Sequence, residues 1–129
     1  GVEFLHLVLP TPSMTALIKP ITWTLSIVLL VIGVLGFVLP SPLLGLFEVN
    51  ATHNIVHLLS GVVGIWAASS GYQYSRLFLM IFGLVYGLVA VIGYATGNVL
   101  GLFEVNMEDN YLHTAIAALC LIPAFASKK

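Results

Sequence analysis

The chain has 129 residues, 60% of them hydrophobic and 7% charged, with a mean hydropathy of +1.10 and a formal net charge of −1. A soluble domain carries about 25% charged residues, so four Lys+Arg and five Asp+Glu are too few to cover a water-soluble globule, and the outer surface is expected to meet lipid. The near-zero charge excludes nucleic-acid binding driven by bulk electrostatics, and a single cysteine, Cys120 within an apolar run, excludes a disulfide framework.

Residues 1–13 carry Glu3 and no basic residue, so they do not read as a secretory signal, which needs a positively charged front. Met14, followed by Thr-Ala-Leu-Ile-Lys-Pro, reads as a natural start, and residues 1–19 are expected to be an N-terminal lead-in. Residues 20–129 are expected to form one transmembrane domain.

The first uncharged apolar run is Ile21–Leu39, ended by Pro40-Ser41-Pro42, because proline lacks the amide donor and disfavours helix in the residue before it. The second, Asn54–Ala68, becomes long enough to span once Ala51–His53 form its first turn, and stops at Ser69-Ser70-Gly71. The third, Leu77–Ala95, stops at Thr96-Gly97-Asn98. The fourth, Asn110–Ala126, is completed by Met107–Asp109. A helix of about 20 residues matches a hydrocarbon core of about 30 Å, and the runs lack the alternation of barrel strands. The expected fold is therefore all-α, an integral membrane four-helix bundle. Gly33 and Gly36, Gly61 and Gly64, and Gly83 and Gly87 lie at spacings that bring membrane helices into close contact. Trp23, Trp66, Tyr72, Tyr74, Tyr94 and Tyr111 fall near helix ends, as an interfacial belt does.

Four crossings put Lys19, Arg76, Lys128 and Lys129 on one side and Glu48, Glu104, Glu108 and Asp109 on the other. The positive-inside rule then places both termini in the cytoplasm.

The most specific feature is a duplication. Gly45-Leu46-Phe47-Glu48-Val49-Asn50 returns letter for letter as Gly101-Leu102-Phe103-Glu104-Val105-Asn106, 56 residues further on, and Asn54 and His57 then align with Asn110 and His113. Two helices per unit restore the starting side. The repeats, about 21–70 and 77–126, are thus expected to run parallel, related by a pseudo-twofold axis along the membrane normal.

His53 and His57 share one helix face at a spacing of four, and Asp109 and His113 repeat that spacing in the equivalent helix. Convergence of these four near the axis would assemble three imidazoles and a carboxylate, a set suited to zinc or another borderline divalent metal. Glu48 and Glu104 would then stand behind them as supporting partners. A purely structural reading competes and comes first. Asn50 and Asn106 make good N-caps, Glu108 and Asp109 complement a helix dipole, and the asparagines and histidines serve as interhelical hydrogen-bonding groups. Axial ligation of haem or a chlorophyll-type pigment ranks after the metal, and proton relay or catalysis last. The hexamer itself reads as an interfacial connector, with Leu46 and Phe47 dipping into the acyl boundary, ahead of a ligand-contacting re-entrant loop. No span carries a mid-membrane carboxylate, which argues against an ion-coupled transporter. No catalytic motif is present either, so no enzyme is expected.

Both repeat copies, with Gly33/Gly36, the His-Asn-x-x-His-Leu element at 53–58 and the Asp-Asn-x-Leu-His element at 109–113, resemble a family of small four-helix bacterial membrane proteins of unknown function. The resemblance covers roughly residues 21–126 and implies a multi-pass protein of the bacterial plasma membrane, with no activity, substrate or cofactor attached. The expected function is an accessory or interaction subunit that assembles with itself or a larger membrane complex. The alternative is a metal- or cofactor-binding bundle using His53, His57, Asp109 and His113. A small transporter formed by oligomerisation comes third.

Overall fold

The computed structural model describes residues 13–129, and among them the chain is all-helical, with four helices in chain order. They are α1 (Met14–Val38), α2 (Ala51–Ser70), α3 (Tyr72–Thr96) and α4 (Met107–Ala126), with a minimal antiparallel hairpin of β1 (Asn98–Val99) and β2 (Phe103–Glu104) between α3 and α4. The first twelve residues of the expected lead-in lie outside the described part. α1 begins at Met14, seven residues before the apolar run, because the Ser13 side chain accepts the Ala16 amide and caps it. Pro20 is accommodated inside α1.

The breakers act where composition put them. α1 stops at Leu39, before Pro40. α2 and α3 are separated by Gly71 alone, at φ 127° and ψ −178°, a conformation that essentially only glycine adopts. Arg76, expected in a connection, therefore lies inside α3, where its Nε donates to the Ala124 carbonyl and to Ser127 Oγ.

α1 packs chiefly on α2, and α3 chiefly on α4, with lighter contacts joining the two pairs. Glycines set the close approach. A Cβ on Gly61 would lie 2.7 Å from the Leu30 amide nitrogen and 2.8 Å from the Ser26 carbonyl oxygen, and one on Gly33 would meet Leu58. In the other pair, Gly83 faces Cys120 and Leu121, and Gly87 faces Ala117. Ile18, Leu25, Leu29, Phe78, Leu79, Ile116, Cys120 and Ala124 fill the shared core.

The outward faces are also apolar. Ile27, Val31 and Val34 on α1, Leu59, Val62 and Trp66 on α2, Leu84, Leu88 and Val91 on α3, and Leu119, Ile122 and Phe125 on α4 are all exposed. α1 and α3, at 25 residues each, are long and apolar enough to cross a membrane.

Candidate functional site

The two α-helix-to-α-helix loops, 39–50 and 97–106, sit together at one end of the bundle. Asn50 Nδ2 donates to the Leu102 carbonyl at 3.3 Å, and Asn106 Nδ2 donates to the Leu46 carbonyl at 2.7 Å, so each loop holds the other. Both loops turn through left-handed residues, Leu44 and Gly45 at φ 56° and 72°, then Leu100 and Gly101 at φ 54° and 76°. The Asn50 side chain also caps α2 by accepting the His53 amide, and Asn106 caps α4 by accepting the Asp109 amide, each at 2.8 Å. The opposite end carries the Lys128 contacts to Tyr72 and Thr15.

These caps bring His53 and His57 down one face of α2, opposite His113 on α4. All three imidazoles are buried, and their ligand atoms lie within 4.8 Å of one another. His53 Nδ1 meets the Glu48 carbonyl oxygen at 3.1 Å. Since a carbonyl only accepts, that nitrogen carries the ring proton and Nε2 is left with a free lone pair. His53 Nε2 in turn lies 3.4 Å from His113 Nε2. Tetrahedral zinc with bonds of about 2.0–2.1 Å separates two nitrogen ligands by about 3.3 Å, so this spacing is one edge of such a polyhedron. His53 held by a backbone carbonyl is also the usual outer support of a metal-bound imidazole.

Three further ring nitrogens, Nδ1 and Nε2 of His57 and Nδ1 of His113, have no hydrogen-bond partner among the described residues. The surroundings are aromatic. Phe103 stacks on His53 with centroids 4.4 Å apart and planes 9° apart, while Tyr86 lies parallel to His57 at 6.4 Å and donates its hydroxyl to Ser60 Oγ at 3.1 Å. An isolated buried polar atom costs roughly 1–3 kcal/mol, so a cation accepting one nitrogen from each ring would relieve the cluster. The interhelical bonding expected of the polar residues is sparse here. Asn54 Oδ1 and Asn110 Oδ1 are also without partners among the described residues, the two side chains filling the space opposite Gly36 and Gly93. A haem ligated by both His53 and His113 would require them on opposite faces of a broad macrocycle, and their edges instead nearly touch.

Asp109, the fourth expected ligand, is not in the group. Its Oδ2 accepts the Asn106 amide at 3.0 Å and the Glu48 amide at 3.1 Å, closing a capping box and tying α4 to the first loop. At the third helical position the Asp109 carboxylate takes the Asn106 amide at its own helix start and the Glu48 amide of the first loop; the longer imidazole of His53, at the same position of α2, meets the Glu48 carbonyl and extends to His113. Asp109 and His53 are linked through the Glu48 backbone, whose amide donates to Asp109 and whose carbonyl meets His53 Nδ1.

Sequence reasoning overlooked Phe103, Tyr86 and Ser60. Tyr86 had a signal, a hydroxyl in the middle of an otherwise apolar run that must find a partner. Phe103 had none, since its identical counterpart Phe47 is only half-buried.

A family model described as a domain of unknown function, DUF4383, matches residues 19–126. No curated protein and no solved structure matches the chain. The histidine cluster and the loops that support it lie within the matched span, and the chain belongs to the DUF4383 family of unknown function.

Proposed function

We propose that this chain is a four-pass protein of the bacterial plasma membrane that binds a divalent transition-metal ion of the zinc type through His53, His57 and His113. The observation that carries the reading is the buried convergence of three imidazoles, among whose ring nitrogens both of His57 and Nδ1 of His113 lack a hydrogen-bond partner among the described residues. Histidine nitrogens favour zinc and its borderline neighbours over magnesium or calcium, and three such ligands leave a fourth position for water or a small anion. Among the described residues no carboxylate belongs to the group, and the role proposed is metal binding.

The membrane setting rests on the lipid-like outer faces of all four helices. α2 and α4 have 20 residues each, about 30 Å of helix, enough to cross beside α1 and α3. The duplicated hexamer, the matching left-handed turns, the matching caps and the reciprocal asparagine bonds support two parallel repeats about an axis along the membrane normal. Both termini are then cytoplasmic, with the loop end outside.

Elemental analysis of detergent-purified protein tests the metal. About one zinc per chain is expected to survive gel filtration and to be lost in His57→Ala and His113→Ala; protein that stays metal-free after incubation with zinc would overturn the proposal. A second reading, an accessory subunit that associates with itself or another membrane protein, draws on an apolar groove of about 350 Å³ between α1 and α4, lined by Pro20, Thr24, Val28, Leu112 and Leu119. Copurification separates it, because a strictly monomeric protein without partners removes this reading while leaving the metal site intact.

A further inference from the structure

A polar cavity of about 450 Å³ opens at the loop end, lined by Ser41, Glu48, Asn50, Asn98, Phe103 and Glu104 among others. Two of its lining residues also touch the histidine cluster. The Glu48 carbonyl receives the His53 ring proton, and the Phe103 ring lies flat against His53, 6% exposed. Phe103 therefore borders both the cavity and the first imidazole.

Charge is distributed accordingly. Both cavity glutamates are at least partly accessible, and no lysine or arginine lines the cavity. Lys19 lies in the second turn of α1, Arg76 near the start of α3, and Lys128 and Lys129 follow α4, all at the other end. An acidic mouth with low-dielectric walls concentrates cations and speeds their arrival. From the cluster towards the basic end, by contrast, Tyr86, Leu79, Phe78, Cys120 and Ala124 close the core, each 0–4% exposed. Among the described residues the buried polar side chains on that side, Ser60, Ser26, Thr22 and Ser75, are hydroxyls at 0–2% exposure, and none is a carboxylate or imidazole.

We propose that the loop-end cavity is the entry port of the tri-histidine site, with Glu48 and Glu104 drawing in a hydrated divalent cation and Phe103 as the plug that must swing aside for it to reach His53. The inference rests on the metal-binding reading and assigns it a side and a path. Phe103 is suited to the movement. It follows the Leu100-Gly101 turn on a strand of two residues, so few backbone hydrogen bonds hold it. Water is shed in stages: the carboxylates replace part of the hydration shell at the mouth, and the imidazoles replace more of it beneath the ring.

Cobalt(II) provides a direct readout, because its visible absorption intensifies on tetrahedral coordination. The full chain in phosphatidylethanolamine/phosphatidylglycerol vesicles is mixed with Co²⁺, and the rate of absorption growth is measured against ionic strength. Glu104→Gln, alone and with Glu48→Gln, is expected to slow loading roughly tenfold at low salt and to flatten its salt dependence, with the final absorption of Glu104→Gln equal to that of the unaltered chain. Phe103→Leu is expected to speed both uptake and chelator-driven release. Unchanged loading rates in all three variants, with full final absorption, would overturn the port while leaving the site standing. No cobalt absorption in the unaltered chain would overturn the site and the port together.

Discussion

Replacing His57 by leucine separates a metal site from a merely structural histidine, because the two readings predict opposite signs. The His57 ring is 2% exposed, faces His53 at 4.4 Å, and has no protein partner for either nitrogen among the described residues. Leucine is close in volume and has no polar atoms. In the presence of chelator, removing an unsatisfied buried polar group is worth about 1–3 kcal/mol, and a chain of this length shifts its melting temperature by roughly 4 °C per kcal/mol. His57→Leu is therefore expected to melt about 4–12 °C above the unaltered protein when both are metal-free. Zinc at a hundred times its dissociation constant stabilises the unaltered protein by about 2.7 kcal/mol, roughly 10 °C, and leaves the variant nearly unmoved. The assay is thermal unfolding in detergent, followed by circular dichroism, with EDTA or with buffered zinc. A variant that melts below the unaltered protein in EDTA would show that His57 makes stabilising bonds of its own. An equal zinc response in both would refute its role as a ligand.

The helix contacts and the topology make their own predictions. Gly61→Ala drives a methyl group into the backbone of α1 at Leu30 and Ser26, which must separate α1 from α2 at a cost of about 1–3 kcal/mol. Gly87→Ala, whose nearest neighbour is Ala117 Cβ at 3.6 Å, should be neutral or stabilising by up to about 1 kcal/mol through helix propensity; equal losses at both positions in a thermal melt would discredit the close-packed face. For topology, single cysteines placed at Glu104 and at Lys128 in a Cys120→Ala background should react with an impermeant maleimide from opposite sides of the membrane. Labelling of both from the same side would dismantle the four-pass arrangement.

Much of the frame follows from local properties of the chain. Helix number and helix ends depend on where proline and glycine interrupt apolar runs, and Pro40, Gly71 and Gly97 each stand where a helix stops. The caps at Asn50 and Asn106 are equally local, since an asparagine side chain reaches only the amides of the next turn. The spacing of His53 and His57 settles that they share a face of one helix. What faces them does not follow from spacing. His113 joins them and Asp109 does not, although the two share a helix face, because a short carboxylate near two free amides is satisfied at the helix start. Leu44-Gly45 and Leu100-Gly101, at the head of the two copies, make the same left-handed turn, for the same Leu-Gly pair stands there in both. Yet Phe103 is buried against an imidazole while Phe47 remains half-exposed, because burial is decided by neighbours brought from elsewhere in the chain. Tertiary packing alone placed Tyr86, Phe103 and three histidines around a common point, where the low dielectric makes unpaired nitrogens costly.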